Sequence, residues 1–144
     1  MPRVQTYKNH RRYHWLHHFV VQPILIANFA IQLGDFIDEP ARDSGWALVL
    51  AIGLMLFGFS ARSMAVIVQN RLIRLEERLR LSTLMPPEER HRIEELRTGQ
   101  LVGLRFASDA EVVDLARRCL SGELKTSGDV KKSIRDWRPD HLRV

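Results

Sequence analysis

WALVLAIGLMLFGFSARSMAVIVQNRLIRLEERLRLSTL, residues Trp46 to Leu84, reads as one long helix of two characters. From Ala47 to Val68 it is almost wholly apolar, interrupted only by Ser60, Arg62 and Ser63 toward the far end. A bilayer core about 30 Å thick takes roughly 20 residues of helix, so this first part is long enough to span one. From Gln69 to Leu84 the helical period continues on a different surface. Val68, Leu72, Leu75 and Leu79 recur at spacings of four, three and four, while Arg71, Arg74, Glu76, Glu77, Arg78 and Arg80 cover the rest of the cylinder. That is the pattern of an amphipathic helix in water or at a membrane surface. No Gly or Pro lies between Gly58 and Pro86. Nothing therefore stops the helix at the membrane, and at about 1.5 Å per residue it would project beyond the lipid as a stalk.

Average composition hides this partition. The chain is 45% hydrophobic and 27% charged, values typical of a soluble domain. Yet positions 44–68 hold one charged residue, whereas positions 69–144 hold sixteen Lys/Arg and thirteen Asp/Glu. The single cysteine, Cys119, excludes an intramolecular disulfide framework and any multi-cysteine metal site.

Upstream lies a second apolar run, Leu16 to Ile37, weaker than the first because it carries Gln22, Pro23, Asn28, Gln32 and Gly34. A basic start before an apolar run also fits a signal peptide. This run, however, is long, contains Pro and amides, and ends in Gly-Asp-Phe without an Ala-x-Ala site. It reads as a span over about 16–36, paired with the span over about 46–68. Gln22, Asn28 and Gln32 are then intramembrane polar packing residues, able to hydrogen-bond the other span or a partner.

Between the spans, Asp35, Asp38, Glu39 and Asp43 against Arg42 give a net charge of −3, with Pro40 and Gly45 supplying turn chemistry. The opposite flanks are basic: Arg3, Lys8, Arg11 and Arg12 on one side, Arg62, Arg71 and Arg74 on the other. Lys and Arg near span ends mark the cytoplasmic side, so both termini are expected on the cytoplasmic side of the membrane and the acidic loop outside. Trp15 and Trp46 stand at the span starts, as aromatic belts require. Arg62, Arg71 and Arg74 are expected to anchor to anionic lipid headgroups, Arg62 by snorkelling.

Beyond the stalk (69–85), residues 86–144 read as a small helical cytoplasmic domain. Pro86-Pro87-Glu88-Glu89 suits the start of a helix running to about Arg97 and closing at Thr98-Gly99. Gln100–Phe106 is ambiguous between strand and helix. Ser108-Asp109-Ala110-Glu111 has the form of a capping box before a helix with Val112, Leu115, Ala116, Cys119 and Leu120 on one face, ended by Gly122. Thr126-Ser127-Gly128-Asp129 opens a last helix in which Val130, Ile134 and Trp137 recur, ending before Pro139. Phe106, Leu115, Ile134 and Trp137 are the expected core. The fold class is therefore all-α: a two-helix transmembrane hairpin, its second helix extended as a stalk, and a small helical domain.

Two groups of residues carry a resemblance. Gln5-x-Tyr7-Lys8-Asn9-His10-x-Arg12-Tyr13 followed by His17-His18, and Leu104-Arg105-Phe106-Ala107-Ser108-Asp109-x-Glu111 with Lys131-Lys132-x-Ile134-x-x-Trp137-Arg138-x-Asp140, are similar to motifs of a bacterial family of small two-span membrane proteins of unknown function. The resemblance covers nearly the whole chain. It implies membrane residence and fold, and brings no activity.

Candidate chemistry is sparse. His10, His14, His17 and His18 share a helical face, and His14/His18 have an i,i+4 spacing used by metal pairs. No carboxylate or thiol lies near to complete a metal site, and the histidines lie before or at the very start of the apolar run, too shallow for a buried macrocycle; the expectation is no metal and no cofactor. Tyr7, Lys8, Asn9, His10, Arg11, Arg12, Tyr13 and Trp15, within an N-terminal basic and aromatic segment (1–15), offer the side chains that favour protein interfaces. Cys119 reads as a small apolar residue of the core. Ala61-x-x-x-Ala65, with Gly53 and Gly58 on the same span, permits close helix packing. There is no Walker loop, dinucleotide turn, His-Glu-x-x-His or Gly-x-Ser-x-Gly. The gap from Ser121 to Ser127 is too long for a helix-turn-helix, so no nucleic acid is expected. The functional expectation is a non-enzymatic accessory subunit of a larger membrane complex, of respiratory or photosynthetic type, whose partners are other membrane subunits and anionic lipids. The alternative is a self-associating membrane adaptor whose domain binds a soluble partner, with a homo-oligomer in view.

Overall fold

The computed structural model describes residues 5–9 and 13–140. Among these the chain is all-helical, with one isolated antiparallel bridge between Ala107 and Trp137. It divides into two compact units: residues 13–66, and residues 67–140 together with 5–9.

The first unit holds α1 (Gln22–Asp38), which continues a π-helical turn over His17–Val21, and the first part of α2 (Arg42–Leu84). Pro23 sits in the first turn of α1, where its missing N–H costs least. The stretches His17–Asp38 and Arg42–Leu84 are each long and apolar enough to cross a membrane. The acidic linker is shorter than its turn residues imply. Asp35 and Asp38 belong to α1, Arg42 to Gly45 belong to α2, and Glu39–Ala41 alone lie outside helices. Ser44 makes this tight connection possible: its Oγ accepts from the Ala41 N–H at 3.0 Å and donates to the Glu39 carbonyl at 2.8 Å.

Each helix of this unit has one less exposed row. On α1 it runs Gln22, Leu25, Phe29, Gln32, Phe36, and on α2 Ser44, Leu48, Ala51, Met55, Gly58, Arg62, Ala65, both at alternating spacings of three and four. Two glycines mark where the rows meet. A Cβ at Gly58 would fall 2.8 Å from Leu25 Cδ1 and 3.3 Å from Gln22 Nε2, and one at Gly45 would fall 3.3 Å from the Phe36 ring. Gly53 has open space around it and Ala61 is exposed, so the expected small-residue pair 61/65 does not face α1 as a unit. The outward faces carry many large apolar side chains, among them Phe19, Ile24, Ile31, Leu50, Phe57 and Met64.

The second unit packs short helices on the C-terminal part of α2. Its core contains Leu81, Met85, Ile93, Leu101, Leu104, Phe106, Val112, Leu115, Val130 and Ile134, with Trp137 packed against it. All four expected core residues are therefore in or against it, and the Phe106 and Trp137 rings lie 5.3 Å apart. Pro87–Glu95 is helical as expected but wound as a 3-10 helix, with Ile93 its buried residue. Thr98-Gly99, read as a helix end, instead begins α3 (Thr98–Leu104), which resolves the strand-or-helix ambiguity of 100–106. The buried Gln100 amide explains why a polar residue sits there: it donates to the Leu124 carbonyl at 2.8 Å, while its oxygen accepts from the Arg97 N–H at 2.8 Å.

The helix α4 (Val112–Leu120) buries Val112, Leu115, Ala116 and Cys119, and ends at Gly122, whose φ of +82° favours glycine. The capping box expected at its start is absent. The Glu111 carboxylate turns instead to the Arg135 and Asp136 N–H groups at 3.2 and 3.1 Å, a longer-range use that outcompetes the local one. The helix start expected at Thr126 is there, and a capping box closes it at α5 (Ser127–Ser133): Thr126 Oγ1 accepts from Asp129 N–H at 3.1 Å and Asp129 Oδ2 from Thr126 N–H at 2.9 Å. This helix is shorter than expected. Ile134 is already extended, and Trp137 lies in the bridge to Ala107.

Candidate functional site

In the second unit, the two motifs that are far apart in sequence come together. The backbone of Leu104–Asp109 and that of Asp136–Asp140 run antiparallel: Arg138 N–H donates to the Phe106 carbonyl at 2.7 Å and Ser108 N–H to the Asp136 carbonyl at 3.1 Å. Gln5, from the N-terminal motif, completes the set. Its amide exchanges two hydrogen bonds with the main chain of Asp140, at 2.8 and 3.2 Å.

These segments border a cleft of about 750 Å³ against α2, lined by Glu76, Glu77, Arg80, Arg105, Asp109, Arg138 and Asp140 among others. Arg80 is its centre. The guanidinium donates to Asp109 Oδ1 at 2.8 Å, Glu77 Oε2 at 3.1 Å and the Ala107 carbonyl at 2.7 Å. Arg105 is buried, pairs with Asp140 at 3.3 Å and lies 4.6 Å from the centre of the Phe106 ring. Glu77 is 5% exposed, and burial pushes its carboxyl above the ordinary range against the opposing pull of Arg80. The cations of the cleft are thus largely committed to neighbouring carboxylates. Chemically it is a clasp that ties the N-terminal motif, the C-terminal motif and α2 into one unit.

The residues singled out from sequence are distributed otherwise. Tyr7, Lys8 and Asn9 are exposed on a turn in which Asn9 Oδ1 accepts from Thr6 N–H at 2.6 Å. Tyr13 and Trp15 are exposed in the other unit; His10, Arg11 and Arg12 lie outside the described residues. His17 and His18 stack edge to face at 5.1 Å, and the His18 ring meets the His14 carbonyl at 3.0 Å. Among the described residues, no three His, Cys, Asp or Glu side chains come together in a way that could hold a metal ion. Gln22, Asn28 and Gln32 all lie on the less exposed side of α1; Gln22 Nε2 sits 3.4 Å from His17 Nε2, and its Oε1 is buried without a hydrogen bond among the described residues. Arg62 is half-buried, Arg71 and Arg74 exposed.

Sequence reasoning missed Gln5, Glu77, Arg80 and Asp109 as a set. The i,i+3 pair Glu77/Arg80 was visible, but its partners stand tens of residues away. Cys119 is buried in the core, and burial pushes its thiol up to about 11.

Compared with known proteins, residues 1–144 match the sequence model of a family described as "Family of unknown function (DUF6526)". No curated protein and no solved structure matches the chain.

Proposed function

The chain belongs to this family of unknown function, and we propose that it is a membrane-anchored, non-enzymatic docking subunit of a larger bacterial membrane assembly. In this reading α1 and the first part of α2 form a transmembrane hairpin in the inner membrane. The short acidic link at Glu39–Ala41 faces outward, and the unit built on the end of α2 lies in the cytoplasm with both termini. The observation that carries the proposal is the set of large apolar side chains left uncovered on both long helices. An apolar surface of that kind is covered by lipid or by protein. The half-buried amides of α1 and the exposed aromatic turn at Tyr7 supply polar and planar contacts for neighbouring subunits. Respiratory and photosynthetic complexes are the class of assembly that uses such subunits, and anionic lipid suits Arg71 and Arg74. The second reading, a self-associating adaptor, is favoured by a different feature of α2, taken up below.

Extraction and mild-detergent purification test the proposal. The chain should resist alkaline carbonate, co-migrate with other membrane proteins in fixed ratio, and lose them when residues 2–14 are deleted. Migration of the wild-type chain as a lone monomer would overturn it, and migration as a homo-oligomer without other subunits would select the adaptor.

A further inference from the structure

Beyond the apolar span, α2 is two-faced. Ile73, Glu77 and Leu81 recur every fourth residue and are buried. Leu75 and Leu79 each stand two positions from a member of that row, about 200° around the cylinder. They belong to the stripe Val68, Leu72, Leu75, Leu79, whose members are 66, 55, 56 and 61% exposed. The stripe is thus left bare on the side of the helix away from the row that enters the core. Its spacing of four, three and four is that of the d and a positions of a coiled coil, and Ser82 continues it by three.

The flanking charges say what covers it. With Leu72 and Leu79 at a and Val68 and Leu75 at d, the g positions are Arg71 and Arg78 and the e positions Gln69, Glu76 and Thr83. In a parallel pair each g residue faces the e residue five places on in the other helix, which sets Arg71 against Glu76 twice by symmetry. An antiparallel pair would set g against g, here Arg against Arg. Among the described residues neither Arg71 nor Glu76 forms an ion pair within the chain. We propose that a second copy of this chain covers the stripe, the two α2 helices forming a parallel coiled coil over residues 68–82. Two heptads are short for a coiled coil in water. Anchoring both copies in one membrane raises their effective concentration and imposes the parallel direction; this supporting clause rests on the membrane reading above.

The test uses the full chain in native membranes and in mild detergent, with Cys119→Ala as background and single substitutions Leu72→Cys, Leu75→Cys, Leu79→Cys and, as control, Arg74→Cys on the flank. Oxidation should link each of the three stripe variants to itself, and the control poorly. Self-linking at one stripe position alone would indicate an antiparallel crossing and overturn the proposal, as would the absence of linking at all three. Arg71→Glu should weaken the association read by linking of Leu75→Cys by about fivefold to thirtyfold, because two attractive pairs become repulsive. Adding Glu76→Arg should restore it; failure of that rescue would refute the charge pairing. Carbonate extraction of the same samples reads membrane residence separately: a soluble chain that still links at all three positions keeps the coiled coil and loses the anchor.

Discussion

The Gln5 side chain and the Asp140 main chain, 135 positions apart, bond to each other reciprocally: Asp140 N–H donates to Gln5 Oε1 at 2.8 Å, and Gln5 Nε2–H donates to the Asp140 carbonyl at 3.2 Å. Arg105, on the Asp140 carboxylate, locks the same residue from the other side. The N-terminal motif is therefore held against the C-terminal one, and the turn bearing Tyr7 and Lys8 is presented by a folded unit.

Replacing Gln5 by Ala removes both bonds, at a typical net cost of about 1–2 kcal/mol. Limited trypsin digestion should then cut at Lys8 several-fold faster in Gln5→Ala than in wild type, with the rest of the unit intact. Equal rates would mean that the clasp does not hold the segment.

Gly103 and Gly99 lie in the same short helix and should respond oppositely to alanine. A Cβ at Gly103 would stand 2.8 Å from Val130 Cβ and 3.2 Å from the Ser127 carbonyl, atoms that cannot swing away, whereas Gly99 has nothing within 4 Å. Gly103→Ala should destabilise by about 1–3 kcal/mol as overpacking. Gly99→Ala should be neutral or stabilise by up to about 1 kcal/mol through the unfolded state. Chemical denaturation of the full chain in detergent reads both.

Cys119 is a built-in reporter of opening. With its thiol pushed up to about 11 by burial, it should react with a maleimide at pH 8 far more slowly than a free thiol, and fully once the unit is unfolded. Phe106→Ala, costing about 3–5 kcal/mol at a fully buried site, should make it react readily; Trp137→Ala, only part-buried, should have the same effect to a lesser degree. Fast labelling of the folded wild type would show that the core is misassigned.

Glu77 predicts a pH dependence of definite sign. Its carboxyl titrates above the ordinary value in the folded chain because burial disfavours the charge. The folded state thus binds more protons than the unfolded one between about pH 4.3 and the raised value, and stability falls as pH rises through that window. Glu77→Gln keeps an acceptor for Arg80 and removes the charge. The difference in stability between Glu77→Gln and wild type should therefore grow in favour of the variant from acid to neutral pH. A constant difference would contradict the buried-charge account.

What the sequence made legible follows from range. Apolar runs long enough to cross a membrane, the helix start at Thr126–Asp129 and the inward face of α4 depend on residues within a few turns of each other, and each was readable. The Ser108–Glu111 box failed because Glu111 found donors at Arg135 and Asp136. The ambiguous stretch at 100–106 is helical as far as Leu104, where Gln100 is held by Leu124 and Gly103 lets α5 approach. The Arg80 clasp was invisible for the same reason: its partners meet only after the unit has folded. The stripe at Val68–Leu79 was legible as a pattern, whereas its exposure emerged only once the opposite face of α2 was seen to enter the core.

The central claim, a membrane hairpin with the helical unit on one side and the Glu39–Ala41 link on the other, is tested most directly by two exposed single cysteines in a Cys119→Ala background, Glu39→Cys and Ser121→Cys. In intact spheroplasts, a membrane-impermeant maleimide should label Glu39→Cys and leave Ser121→Cys untouched until the membrane is opened. Labelling of both before lysis, or of Ser121→Cys alone, would contradict the account.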